Sequence, residues 1–274
     1  MNSSTPPHAN SEIDRLLDIM AQLRDPNSGC PWDKVQTFET IAPYTIEEAY
    51  EVADAIADGD MDGLKGELGD LLFQVVFYAQ MSSEAGRYGF SDIARSISDK
   101  MIRRHPHVFA GASVESADAQ TAEWETQKRT EREAKATARG DLPSVLDDVP
   151  AALPALARAV KLQKRAARVG FDWPDVSGVL DKMAEEIDEL RVEIAAGNTE
   201  NMAEELGDVL FAWTNLARHQ HIDPETALRS ANAKFERRFR RIEAILAADD
   251  RRPDDADLEE LETLWNQAKT EERA

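Results

Sequence analysis

Thr45-Ile46-Glu47-Glu48-Ala49-Tyr50-Glu51, followed after a short spacer by Glu67-Leu68-Gly69-Asp70-Leu71-Leu72-Phe73, decides how this chain is read. The same acids recur as Glu185, Glu186, Glu189, Glu205 and Asp208, each 138 residues after its counterpart (185 minus 47, and likewise for the other four). Leu206, Gly207, Leu210 and Phe211 keep that interval from Leu68, Gly69, Leu72 and Phe73, so no gap separates the copies. A repeat that preserves five carboxylates and the packing residues between them points to a duplicated module built around a hard-cation site.

The spacings support that reading. Glu48 and Glu51 lie three apart and Glu47 and Glu51 four apart, so all three share one helical face. Glu67 and Asp70 repeat the three-residue step on the next helix, and the turn Asp58-Gly59-Asp60 between them implies antiparallel neighbours. Carboxylates converging there repel one another unless a divalent cation sits among them. Oxygen-only ligands favour Mg²⁺, with Mn²⁺ as a substitute, over zinc. The lack of a Glu-x-x-His pair argues against a di-iron bundle. Two plainer explanations compete. Acidic residues commonly just solvate helix surfaces, and Thr45-Ile46-Glu47-Glu48 reads as a capping box with Glu48 at its third position. Neither accounts for Gly69 and Gly207, since a mid-helix glycine costs about 1 kcal/mol against alanine. The missing side chain would let another helix, a ligand or a metal-bound water come close.

Bulk composition narrows the classes. The 274 residues include 32 Lys plus Arg and 53 Asp plus Glu, a net charge of −21 that repels phosphate backbones and argues against direct nucleic-acid binding. Cys30 is the single cysteine, which fits a reducing cytoplasm. Apolar runs are too short for a membrane span, and Met1 to Ser11 has no signal-peptide core and reads as a loose tail.

Nearly every patterned stretch has helical spacing, so the fold class is all-α, with two four-helix modules in tandem. Helices are expected near 12–24, 45–58, 62–86 and 92–104, then 153–168, 177–196, 200–219 and 224–247, with a short last one near 257–270. Ile46, Ala49, Tyr50, Ala53 and Ile56 have the interval of a buried face, and Ser91 is the expected cap of the fourth helix. The modules are drawn as residues 12–130 and 151–274, joined by a linker at 131–150 within a partly helical, solvated connector over 112–150. An apolar face left over by so small a bundle implies pairing, within the chain or between chains.

These motifs resemble the MazG family: Glu-Glu-x-x-Glu, a spacer, then Glu-x-x-Asp. Gly29-Cys30-Pro31-Trp32-Asp33, Arg103-Arg104-His105-Pro106-His107-Val108-Phe109, Gly170-Phe171-Asp172-Trp173 and Lys234-Phe235-Glu236-Arg237-Arg238 add to the likeness, which runs from about residue 12 to 270. The resemblance implies a dimeric Mg²⁺-dependent hydrolase that converts nucleoside triphosphates to monophosphates and pyrophosphate. It also implies Glu186, Glu189, Glu205 and Asp208 as metal ligands beside Glu185. Lys182, Lys234 and Arg238 become phosphate contacts, and Trp265 with Lys269 a stacking surface and a further cation. Glu47, Glu48, Glu51, Glu67 and Asp70 are the same ligands in the first module. In two-domain members the activity is usually assigned to the C-terminal copy, and that expectation is carried over.

On this reading Glu186 or Glu189 orients or deprotonates a water for in-line attack. A helical nucleotide-binding or regulatory module without turnover is the alternative from another class. A narrow dUTP or dCTP pyrophosphatase is the nearer one. His105 and His107 flank Pro106 and read as a packed loop rather than a metal pair. Trp32 and Trp173 either border a pocket or close a bundle end. No Walker-type glycine loop is present.

Overall fold

The computed structural model describes residues 11–111, 113 and 116–272, so all of the expected tail except Ser11 lies outside the described residues. Among the described residues there are helices and no strands. The helices are α1 (Glu12–Leu23), α2 (Pro31–Lys34), α3 (Phe38–Asp58), α4 (Met61–Glu84), α5 (Phe90–Arg104), α6 (Pro106–Phe109) and α7 (Ala117–Arg139). They continue as α8 (Ala155–Ala167), α9 (Val176–Ala196), α10 (Thr199–His219), α11 (Pro224–Ala247) and α12 (Leu258–Glu271). The chain divides into two compact units between Trp124 and Glu125, within α7. Each holds a four-helix module: α1, α3, α4 and α5 in the first, α8, α9, α10 and α11 in the second.

The hairpin that carries the acids is built the same way twice. Gly59 closes α3 with φ of 71° and Gly197 closes α9 with φ of 68°, a left-handed conformation that glycine adopts without strain. The next residue opens the following helix: the Asp60 side chain accepts from the Gly63 N–H, and that of Asn198 from the Asn201 N–H. Helices joined this tightly must run antiparallel, which turns the acidic stretch of α3 toward that of α4, and α9 toward α10.

The core of the first unit lies at the far end of its hairpin, where Met20, Ile41, Val76, Phe77 and Met81 are buried. Arg24 locks that end. Its guanidinium forks onto Glu84 at 2.7 to 3.1 Å, donates to the Asp33 carbonyl at 2.6 Å and lies over the Phe77 ring. In the second unit Val179, Met183 and Ala212 are buried, and the Gln163 side-chain amide donates to the Phe211 carbonyl at 2.8 Å, tying α8 to α10.

Three expectations are corrected. α3 begins at Phe38, capped by Thr37 and Thr40, so Thr45 lies inside the helix and bonds the Tyr78 hydroxyl at 2.8 Å. Pro43 is accommodated there because the carbonyl of exposed Glu39, which it leaves without an N–H partner, can turn to water. The capping-box account of Glu48 therefore fails. α5 is capped by Gly89, whose N–H donates to Asp92, rather than by Ser91. Finally, the supposed buried face of α3 is open: Ile46, Tyr50 and Ile56 are exposed, as are Leu68, Leu206, Leu210, Phe211 and Trp213. Helical periodicity identifies an apolar face but not what covers it.

Residues 112–150 are partly helical as expected, through α7, but not uniformly solvated, since Gln120, Arg132 and Ala136 are buried. No helix among the described residues is long and apolar enough to cross a membrane.

Candidate metal centre

Each hairpin gathers three carboxylates. Oxygens of Glu48, Glu67 and Asp70 all lie within 4.8 Å of one another, and those of Glu186, Glu205 and Asp208 do the same. Antiparallel packing explains the grouping, because the second helix of each hairpin sets acids three residues apart against the preceding helix's acidic face. No histidine belongs to either group. His105 instead bonds the Met101 carbonyl at 2.7 Å and meets the Trp124 ring edge-on, the packed loop expected of it.

The electrostatics are those of crowded anions. Burial pushes the Glu48 carboxyl above its ordinary value, and Asp70, Glu51 and Glu67 push it further, against a hydrogen bond from Gln74. Glu67 is raised by burial and then by the neighbouring carboxylates of Glu51 and Asp70. Glu205 is raised by burial, then by Glu189, Glu186 and Asp208. Glu51 and Glu189 thus stand beside the clusters. A divalent cation would offset this crowding of negative charge, and hard oxygen donors at this spacing suit one.

The other candidates are placed less uniformly. Glu47 is exposed and outside the three-oxygen group. Glu185 is also outside it, held by Lys182 at 2.8 Å, and the same ammonium reaches Glu186 at 2.8 Å. These two carboxylates drive the Lys182 pKa upward, so it stays charged. On α11 and α12 the Arg238 guanidinium bonds Glu272 at 2.8 Å and lies over Trp265, which packs on Phe235. Lys234 is exposed and Lys269 half-buried. Among the described residues no contact joins these four to the acids. Arg238 is satisfied by the nearest carboxylate instead.

Gly69 and Gly207 are open: a side-chain carbon there would meet nothing within 4 Å. No helix among the described residues uses the gap.

Two neighbours were not singled out from the sequence. Gln74 is buried and donates to Glu48 at 3.3 Å, and Tyr44 meets Trp32 edge-on. Carrying the interval of 138 outward would have found both, since it sets Gln74 against Ala212 and Tyr44 against Lys182. The copies share their acids but differ in what stands beside them. Asp172, beside Trp173, pairs with Arg218 and His219 and fixes its loop to α10.

The sequence profile of the MazG nucleotide pyrophosphohydrolase domain matches residues 36–109 and 176–242, the two acidic hairpins with the helices that follow them. The chain belongs to the MazG family. It is 56% identical over 264 residues to the nucleoside triphosphate pyrophosphohydrolase of Escherichia coli (strain K12), covering 96% of this chain and 98% of that protein. It is 40% identical over 257 residues to the nucleoside triphosphate pyrophosphohydrolase/pyrophosphatase MazG of Thermotoga maritima, covering 94% and 95%.

Proposed function

We propose that this MazG protein is a divalent-metal-dependent nucleoside triphosphate pyrophosphohydrolase releasing monophosphate and pyrophosphate, with turnover in the second unit. The observation that carries the reading is the meeting of Glu186, Glu205 and Asp208 oxygens within 4.8 Å beside a charged lysine. Glu186, Glu205 and Asp208 hold the ion, Mg²⁺ or in its place Mn²⁺. When bound, such an ion screens phosphate charge and acidifies a coordinated water. Glu189, next to Glu205, orients the attacking water and takes its proton. Lys182 neutralises phosphate oxygens, and Glu185 holds its ammonium in place. Lys234, Arg238 and Lys269 meet the remaining phosphate charge, Arg238 by exchanging Glu272 for substrate. Trp265 stacks on the base.

The chain acts as a homodimer whose second copy covers the exposed Leu206, Leu210, Phe211 and Trp213. It works in the cytoplasm without direct contact to nucleic acid. In the first unit Glu48, Glu67 and Asp70 form a matching metal site with Glu51 beside it, and exposed Glu47 stands at the position of Glu185.

The test is incubation of pure protein with the common nucleoside triphosphates, with and without Mg²⁺, followed by product identification. Monophosphate plus pyrophosphate, lost in Glu205→Ala and largely kept in Glu67→Ala, is the expected result. Orthophosphate as product, or no turnover, overturns the reading and leaves a binding module. Inversion of the two variants moves the active site to the first unit.

A further inference from the structure

Where α7 meets α8 in the second unit, cations outnumber acids inside a protein of net charge −21. Glu125, Lys128, Arg132 and Lys135 follow one another on α7 at intervals of three and four, so they share a face. That face turns to α8, because Arg168 just beyond the end of α8 bonds Glu125 at 2.6 Å. The two acids at hand are both engaged. Glu125 also takes Lys128 at 2.9 Å, and Asp148 takes Lys135 at 3.5 Å.

Arg132 and Arg165 are left over. Arg132 is only 9% exposed, and its nitrogens reach solvent at the edge of the seam without an acceptor among the described residues. Arg165 has its Nη1 shut off from solvent with no acceptor. Arg165 stands three residues before Arg168, and its pKa is lowered by burial and then by the charges of Arg132 and Arg168, against the weaker pull of Glu125 and Asp148. Arginine cannot escape by losing its proton, and a buried guanidinium without an acceptor is costly.

We infer that this seam is an anion site separate from the acidic clusters, and that a small phosphate-bearing molecule supplies the acceptors Arg132 and Arg165 lack. Guanidinium forks match phosphate oxygens, and a compact anion can reach a buried arginine where an acidic peptide cannot. The choice of phosphate rests on the proposed reaction, whose products are pyrophosphate and a nucleotide, and either one presents the same oxygens.

The test is calorimetric titration of the full chain in EDTA with inorganic pyrophosphate, orthophosphate and a nucleoside monophosphate in turn. Without divalent ions the acidic clusters repel all three. One anion per chain is expected, bound more weakly as salt is added. The affinity should fall about tenfold or more in Arg165→Gln and stay unchanged in Glu205→Gln, whatever that variant does to turnover. Which anion binds tells the two sources apart. A second measurement stands apart from the fold of that variant: Arg132→Met should melt above the unmodified chain in EDTA and lose the anion-induced rise. No binding by any of the three anions overturns the inference. So does binding that survives both arginine changes or vanishes in Glu205→Gln. An Arg132→Met chain that melts lower in EDTA also overturns it, because the guanidinium would then already have a partner.

Discussion

Asparagine at Asp208 should raise the melting temperature of the metal-free chain and lower that of the metal-loaded one. The sign reversal follows from the cluster itself. Asp208 and Glu186 have oxygens no more than 4.8 Å apart. Two unit charges at that separation repel by about 0.9 kcal/mol under full water screening. Asp208 also faces Glu205 within the same distance, and measured surface pairs fall at or below that size, so relief from both neighbours gains Asp208→Asn on the order of 1 kcal/mol in EDTA, or about 2–4 °C for a chain of this length. With a cation bound the balance turns over. A ligand at a hundred times its dissociation constant stabilises by about 2.7 kcal/mol, roughly 5–10 °C on the same scale. Removing one of three carboxylate ligands forfeits most of that gain. Asp70→Asn should behave likewise, because its cluster is built on the same interval. The assay is differential scanning calorimetry of the unmodified chain, both single variants and the double variant, each in EDTA and in saturating MgCl₂. Failure of the unmodified chain to respond to Mg²⁺ would refute the reasoning. A lower melting temperature for either variant in EDTA would do the same, because the acids would then be stabilising the chain without a cation.

Three further outcomes can be checked. In the metal-free chain the Glu48 carboxyl is raised, chiefly by burial and then by its acidic neighbours, so its contribution is whole below the unfolded pKa and lost as pH rises through the folded one. Melting in EDTA should therefore drop on going upward from about pH 4.5, Glu48→Gln should flatten the drop, and Mg²⁺ should abolish it. Glu84 shows the opposite sign, since hydrogen bonds from Arg24 depress its pKa. The stability it gives is present above the unfolded pKa and lost as pH falls through the folded one. Glu84→Gln should therefore cost about 1–2 kcal/mol at neutral pH and nothing in acid, as read from urea unfolding at each pH. Trp265→Ala removes a stacking surface worth about 1–3 kcal/mol per base, so KM for nucleoside triphosphates should rise about five- to 150-fold with kcat little changed. An unchanged KM would put Trp265 in the packing of α12 on Phe235 alone.

The hairpins could be read from the sequence because two independent signals coincided in them. Glycine followed by a capping Asp or Asn marks the turn at Gly59-Asp60 and Gly197-Asn198, and helical spacing then sets the acids face to face. The beginning of α3 was hidden by Pro43, a residue that usually ends a helix and here is tolerated on an exposed first turn or two. The extent of α7 was hidden for a different reason. Over 117–139 it has few large apolar residues, and its buried positions include Gln120 and Arg132, which no hydropathy pattern selects. Exposure of Ile46, Tyr50 and Ile56 was beyond reach for a third reason: an apolar stripe has the same period whether its own bundle or another chain covers it.

The two clusters also show why identical acids need not do identical work. The second holds a permanent positive charge, since Lys182 is bonded to Glu185 and to Glu186, a member of the carboxylate cluster only 6% exposed. In the first, the matching position is Tyr44, turned to Trp32, and the polar neighbour of Glu48 is the neutral amide of Gln74. A triphosphate approaching the first cluster would meet three acids and whatever cation they hold. At the second it also finds an ammonium already fixed in place, so less repulsion has to be overcome before the phosphates arrive. That difference is the physical ground for placing turnover in the second unit. It also makes Lys182→Met the sharper probe of that assignment: the carboxylates and their cation remain, and only the charge waiting for phosphate is gone. Hydrolysis should fall while the Mg²⁺-induced rise in melting temperature persists.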